Sequence, residues 1–253
     1  VTHRSLFTGI GGFDLAAQWA GIENVFQVEN NEFCLRLLEG KFPLVNRFTN
    51  VKKVGLMNLP KVDVLTGGFP CQDISIINLK GKGLEGKRSG LWFEYFRIIN
   101  ELRPPFIIIE NVRNLVNKGL PIILGALSEI GYNIEWQVIQ ASEMGARHKR
   151  ARLWVVAYSN RFGWLKIFEK FQNCFIEEKN KKKPGEWELL QHVFSRNDKM
   201  HNWQKFENLI CRDDDGLPRK LDEYRLSGLD NAIVPQIAYI LFLIIKEAFN
   251  ASN

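Results

Sequence analysis

The chain has 253 residues, 45% hydrophobic and 25% charged, which is ordinary for a soluble globular protein with room for one large and one small domain. A formal charge of +6 and a pI near 9.1 favour a polyanionic partner, depending on where the charge sits. The apolar run Ala238 to Ile245 is far too short to span a bilayer, and Val1 to Ser5 leads straight into a strand pattern, so neither a membrane span nor a secretory leader is expected.

Leu6 and Phe7 read as the first strand, and Thr8-Gly9-Ile10-Gly11-Gly12 follows at once. Phe13 to Ala20 then suggests a helix with one apolar side. Strand, glycine turn and helix make a surface against which a nucleotide-like ligand can lie, although the spacing lacks the full dinucleotide fingerprint. Val25, Phe26 and Val28 form the next strand, closed by Glu29-Asn30 roughly twenty residues beyond the turn, where a carboxylate accepts from ribose hydroxyls. Phe33 to Leu38 is helical, and from Val45 to Met57 the pattern fits a loop or a short edge strand.

The stretch that organises the chain is Gly67-Gly68-Phe69-Pro70-Cys71-Gln72, following the apolar Val62, Val64 and Leu65. The glycines let the backbone turn at a strand's end and Pro70 fixes the approach to Cys71. A thiol so placed lies where open α/β sheets bind their ligands, and as a thiolate it can attack an electrophilic carbon. A buried structural cysteine is the competing reading of the hexapeptide alone. The four cysteines, Cys34, Cys71, Cys174 and Cys211, form no C-x-x-C pair and no zinc-ligand spacing with the four histidines. No metal is expected, and the setting expected is reducing and cytoplasmic.

Next comes Asn78 to Gly90, with four glycines and four basic residues including Lys82 and Arg88, a loop suited to phosphate backbones. Leu91 to Leu102 is an amphipathic helix stopped before Pro104-Pro105. Phe106 to Ile109 is a buried strand whose end carries Glu110-Asn111, at the sheet edge where Cys71 is also expected. A carboxyl group there supplies a general acid or orients a heterocyclic base. Pro121 to Ile130 is helical, and Asn133 to Val138 and Leu153 to Ala157 are strands. Between those strands lie Arg150 and Arg152, two apart and so on one face of an extended chain. Such a cationic cluster suits an anionic or polar client.

After Ser159 the pattern changes to loop-rich sequence. Thirteen basic and eleven acidic residues between Arg161 and Asp222 leave it nearly neutral, so recognition there uses particular contacts. We expect a catalytic and cofactor-binding domain over 1–159, a small domain over 160–222, and a segment over 223–253 that packs back on the first domain. That last segment includes an apolar helix from Ala232 to Phe249, opened around Pro235.

In this order, Phe7 to Phe13, Glu29, Gly68 to Gln72 with Ser75, Arg88 to Trp92, Glu110-Asn111-Val112, Arg147 to Arg152 and Leu229 to Pro235 resemble the blocks of the C5-cytosine DNA methyltransferases. They cover the first 157 residues and roughly the last thirty. The resemblance implies a Rossmann-like, mostly parallel seven-stranded sheet with helices on both faces, and a small loop-rich target-recognition domain.

It further implies S-adenosyl-L-methionine as donor, released as S-adenosyl-L-homocysteine, against the Gly9, Ile10, Gly11, Gly12 turn with its ribose on Glu29. Phe7, Asn30, Gly68, Pro70, Asn231 and Ala232 complete that site. Cys71 is implied as the nucleophile at C6 of a flipped-out cytosine. Glu110 holds the exocyclic amine and protonates N3, Arg152 contacts O2, and Arg150 supports loop and base. Asn111 and Pro70 shape the pocket, and Asn231 helps position the loop before Cys71. Gln72, Ser75, Lys82, Arg88 and Ser89 are implied to touch double-stranded DNA. The implied protein is a monomeric bacterial or phage-type enzyme of DNA methylation, with a restriction endonuclease as a possible partner.

Three departures stand out. Asn46-Arg47-Phe48-Thr49 lacks the aspartate that contacts the adenine amine, leaving Asp63 or another group to substitute. His148-Lys149-Arg150 replaces a Gln-Arg/Lys-Arg element, and Asp230 stands where the family has glycine. An RNA cytosine methyltransferase and a non-catalytic DNA-binding relative stay open on the same fold.

Overall fold

In the computed structural model, which describes residues 1–70, 90–144, 149–180 and 233–252, the chain forms two compact units. The first comprises Val1–Phe168 and Ile233–Asn253, and the second Glu169–Ala232. Seven strands make the sheet of the first unit: β1 Thr2–Leu6, β2 Glu23–Val28, β3 Asn46–Phe48, β4 Val64–Gly67, β5 Phe106–Val112, β6 Tyr132–Gln140 and β7 Ala151–Ser159. Their order is β3-β2-β1-β4-β5-β7-β6. The pairs from β3 to β5 are parallel, and β7 runs antiparallel to both β5 and β6. The fold is thus the mostly parallel, Rossmann-like sheet that the sequence led us to expect.

Alternation along these strands feeds two helical layers. Leu6, Leu65, Ile107, Ile109, Leu153 and Val155 face a core shared with α3 Leu91–Leu102, α4 Leu115–Lys118 and α5 Leu120–Glu129. On α3, the spacing of Trp92, Tyr95, Ile98, Ile99 and Leu102 buries one side completely, worth about 2 kcal/mol per side chain. The helix ends at Arg103, which takes a left-handed φ of 49° just before Pro104-Pro105.

The opposite face is covered by α1 Gly12–Trp19 and the C-terminal helix α7 Pro235–Ala251. Ring contacts record this layer: Phe13 to Trp154 at 5.9 Å, His3 to Phe242 at 5.1 Å and Phe106 to Phe249 at 5.4 Å. Lys246 Nζ donates to the carbonyl of Ala20 at 2.6 Å. Pro235 at the first turn of α7 loses no bond by lacking an N–H. The remaining α-helices among the described residues are α2 Glu32–Lys41, capped by Asn31 Oδ1 accepting from Phe33 N and Cys34 N, and α6 Ile167–Asn180. No described helix is long and apolar enough to cross a membrane.

Several boundaries differ from the sequence reading, each for a physical reason. Strand β1 begins at Thr2 because His3 and Arg4 are buried with partners. His3 Nδ1 pairs with Asn24 Oδ1 at 2.7 Å and its Nε2 with Thr66 Oγ1 at 2.8 Å, while Arg4 donates to the carbonyl of Lys61 at 2.7 Å. Burial pushes the His3 imidazole below its ordinary range, so it is held neutral. Phe7 lies beyond β1 in a left-handed conformation, φ 54°. Strand β5 runs on through Glu110 and Asn111 to Val112, because the partner β7 continues to pair with it.

Candidate active site

The glycine turn is held from below by a buried polar cluster. Thr8 N donates to Val28 O at 3.1 Å, and Thr8 Oγ1 accepts from Val28 N at 3.2 Å, tying the turn to the end of β2. Ser5 Oγ, 2.9 Å from Thr8 Oγ1, donates to Asp14 Oδ1 at 3.1 Å, which also accepts from Gln27 Nε2 at 3.0 Å. Asp14 is fully buried, and desolvation pushes its carboxyl up. The sequence singled out neither Ser5, Thr8 nor Asp14, and Thr8 was legible only by its place inside the glycine stretch.

Above this base, Gly9 and Gly11 take φ of 58° and 86°, where a side chain is strained. A Cβ at Gly9 would meet nothing within 4 Å, so the turn opens onto free space. Gly12 is closed instead: a Cβ there would lie 2.6 Å from Cγ1 of Ile233. Ile10 is buried. Glu29, nearly buried, spans the turn and the next helix: Oε2 accepts from Gly9 N at 2.6 Å, and Oε1 from Asn30 N at 2.9 Å and Asn31 N at 2.8 Å. Open space beside bare backbone, with a fixed carboxylate at its rim, fits a ligand carrying ribose hydroxyls.

The end of β4 is shaped by close approaches. A Cβ at Gly68 would lie 3.2 Å from Oε2 of Glu110 and 3.3 Å from its carbonyl oxygen. Phe69 is buried against Trp92 at 5.5 Å and Tyr95 at 6.5 Å, and its carbonyl accepts from Asn111 Nδ2 at 2.8 Å. Pro70 follows directly. Cys71, the next residue in the chain, lies outside the described residues.

Glu110 is the chemical centre of what is described. Its register partner on β7 is Trp154, and Arg152 pairs with Val112, so Glu110 and Arg152 share one face of the sheet at the carboxyl edge of the parallel strands. Arg152 Nε lies 3.1 Å from Glu110 Oε1. That oxygen has no hydrogen-bond donor among the described residues although it is buried. A buried acceptor left without a donor is costly and marks a place for a ligand's donor. Burial raises the Glu110 carboxyl to about 7, against the opposing charges of Arg152 and Arg150, so near neutral pH it can hold a proton and release it.

The structure therefore gathers Phe7, Gly9, Ile10, Gly11, Gly12, Glu29 and Asn30 at one turn. Gly68, Phe69 and Asn111 gather around Glu110, with Arg152 beside it and Arg150 close enough to bear on its charge. Gln72, Ser75, Lys82, Arg88, Ser89, Arg147, His148, Asp230, Asn231 and Ala232 lie, with Cys71, outside the described residues.

The suggested substitute Asp63 is a correction. It precedes β4 at the opposite edge of the sheet, where its carboxylate accepts from Thr2 N at 2.8 Å and Thr2 Oγ1 at 3.1 Å. It cannot serve a ligand at the carboxyl edge. Arg47, in the stretch that lacks the aspartate, donates to the carbonyls of Leu38 and Phe42. Cys34 is buried, and desolvation with the charge of Glu29 raises its thiol to about 12, which disqualifies it as a nucleophile.

Residues 1–223 match the family model of the C-5 cytosine-specific DNA methylases. The Type II methyltransferase M.HhaI of Haemophilus parahaemolyticus is 31% identical over 182 residues, 68% of this chain and 54% of that protein. M.NgoBI of Neisseria gonorrhoeae, also a Type II methyltransferase, is 31% identical over 159 residues, 61% of this chain and 50% of that one. The chain spans about half the length of these relatives. Among solved structures, a DNMT2 variant from Spodoptera frugiperda matches with a TM-score of 0.55 at 22% identity, over 64% of this chain and 51% of the other, a likeness of fold. The glycine turn, the buried Glu110 and the seven-stranded order meet in one conclusion: this chain belongs to the C-5 cytosine-specific DNA methylase family.

Proposed function

We propose that the chain is a site-specific DNA (cytosine-5-)-methyltransferase that acts through a covalent bond between Cys71 and cytosine C6. The observation that carries this reading is the buried Glu110, raised to about 7, whose Oε1 lies 3.1 Å from Arg152 Nε and has no hydrogen-bond donor among the described residues. A pyrimidine presenting N3 and an exocyclic amine fits that group: the protonated carboxyl donates to N3 and its other oxygen accepts from the amine. Arg152 is placed to reach the O2 side of the same ring.

Each residue then has a task. Glu110 delivers a proton to N3, which makes C6 electrophilic, and the Cys71 thiolate adds there. Asn111 holds the Phe69 carbonyl and with it the turn that leads into Cys71. Glu29 and the open glycine turn hold S-adenosyl-L-methionine, which when bound supplies an electrophilic methyl group to C5. Loss of the C5 proton and elimination then free Cys71. The target base must leave the duplex, since the stack bars access to C6. The second unit, Glu169–Ala232, is the proposed reader of the target sequence, through the major groove.

The test is transfer of a labelled methyl group to duplex DNA, with transfer RNA as the competing acceptor. Duplex DNA carrying 5-fluorocytosine should trap Cys71 covalently in the presence of donor. Cys71→Ala should abolish both turnover and trapping while DNA binding persists. Unchanged turnover in that variant would remove Cys71 from the mechanism. DNA binding by the parent without any trapping would favour a non-catalytic relative.

A further inference from the structure

Helix α6 begins without any of the residues that usually begin a helix. Trp164-Leu165-Lys166 precedes Ile167 with no Ser, Thr, Asp or Asn to accept from the first N–H groups, and Lys166 sits at φ 53°. The acceptor comes from another element. Glu135, in the middle of β6, accepts through Oε1 from Ile167 N at 2.9 Å, and its Oε2 lies 3.4 Å from Phe168 N.

That carboxylate is itself fixed. Its Oε1 accepts from the Tyr158 hydroxyl at 2.7 Å, and the same hydroxyl accepts from Leu165 N at 3.1 Å. Tyr158 is fully buried on β7, and Trp164 lies against its ring at 6.5 Å. Ile167 and Phe168 are buried as well, so the first turn is held by packing on one side and by a carboxylate at its end. A negative charge at a helix N-terminus is favourable in its own right, and its bonds to N–H groups are charge-assisted.

We propose that Glu135 is a positioning residue: it fixes the start of α6, the helix on which the chain passes from the first unit into the second after Phe168, and DNA engagement depends on it. This rests on the methyltransferase reading. Glu169–Ala232, proposed to read the target, begins inside α6, so the start of that helix is the last part of the first unit before it in the chain. Without the carboxylate, the first N–H groups of α6 lose their acceptor and the turn frays.

The experiment uses the full chain with Glu135→Ala and Glu135→Gln. Amide hydrogen exchange is followed at Ile167 and Phe168, alongside steady-state methyl transfer to duplex DNA. Glu135→Ala should speed exchange at both amides and raise KM for DNA about tenfold, with kcat and affinity for S-adenosyl-L-methionine at parental values. Glu135→Gln, whose amide oxygen still accepts, should stay within about threefold of the parent in KM. Unchanged exchange overturns the proposal, as does faster exchange with a parental KM for DNA. An equal loss in kcat or cofactor affinity would mean general unfolding and overturns it too. Failure of the methyltransferase reading looks different: the parent itself transfers no methyl group, in which case the DNA dissociation constant replaces KM and the same outcomes decide.

Discussion

Arg152 Nε stands 3.1 Å from Glu110 Oε1, although the two residues are offset by two positions in the β5–β7 register, in which Arg152 faces Val112. Antiparallel pairing makes the contact possible. Because β7 enters the sheet at the edge where β5 leaves it, a residue early in one strand meets a residue late in the other. The guanidinium lowers the carboxyl pKa, burial raises it, and burial wins.

That outcome has a consequence for pH. The Glu110 carboxyl sits at about 7 in the folded protein against 4.5 as its ordinary value, so the folded state binds the proton more tightly than the unfolded one. The stability this group allows is complete below pH 4.5 and is lost as pH rises through about 7. Glu110→Gln, always neutral, escapes that loss. Thermal melts should show the variant and parent alike at pH ~4, and the variant more stable at pH 8 by roughly 3 kcal/mol. Methyl transfer by the parent should also decline above pH 7 as the acid is lost.

Asn111 should matter to the rate more than to the fold. Asn111→Ala removes the donor to the Phe69 carbonyl and frees the turn before Cys71. A small misplacement of a nucleophile costs on the order of 100-fold in rate. Stopped-flow transfer should show a loss of about that size in kcat, with cofactor affinity preserved. A parental kcat would show that Phe69 and Trp92 packing alone holds the turn.

Glu29 joins three backbone N–H groups around the open turn, so its loss should be felt by the ligand. Glu29→Gln replaces one acceptor oxygen by a donor that confronts N–H groups. Calorimetric titration with S-adenosyl-L-homocysteine should give binding weakened by roughly tenfold or more, and urea unfolding a stability loss of about 1–3 kcal/mol.

Gly12 and Ile233 should be coupled. A methyl group at Gly12 would meet Ile233 Cγ1 at 2.6 Å, so Gly12→Ala alone is overpacked and should lose about 1–3 kcal/mol in urea unfolding. Ile233→Ala makes room for it. The double-mutant cycle should therefore return a coupling energy of at least about 0.5 kcal/mol. Additive effects would place the strain elsewhere.

Much of the fold was written in local pattern. Apolar spacing along Leu91–Leu102, bounded by Gly90 and Pro104, specified α3 to the residue, since helix periodicity and its stop signals are both local. The ordered glycine, proline and acidic residues marked the carboxyl edge for the same reason: sharp turns at strand ends require particular residue types. The order of the strands and the reversal of β7 were not local properties, and the sheet alone revealed them. His3 and Arg4 are polar, yet they are buried because Asn24, Thr66 and the Lys61 carbonyl, distant in the chain, satisfy them.

Helix α6 escaped the sequence reading because its N-terminal acceptor, Glu135, lies 32 residues away on β6. Asp63 misled in the opposite direction, since composition could not tell which edge of the sheet it occupied. Sequence by itself determined which reactive and polar side chains are available to the candidate site, because side-chain identity and short-range spacing are local. Tertiary structure decided the state of those groups: whether Glu110 keeps its proton, which carboxylate meets which N–H, and which glycine is open to a ligand. Desolvation and long-range pairing set all three, and both arise only when distant segments pack together.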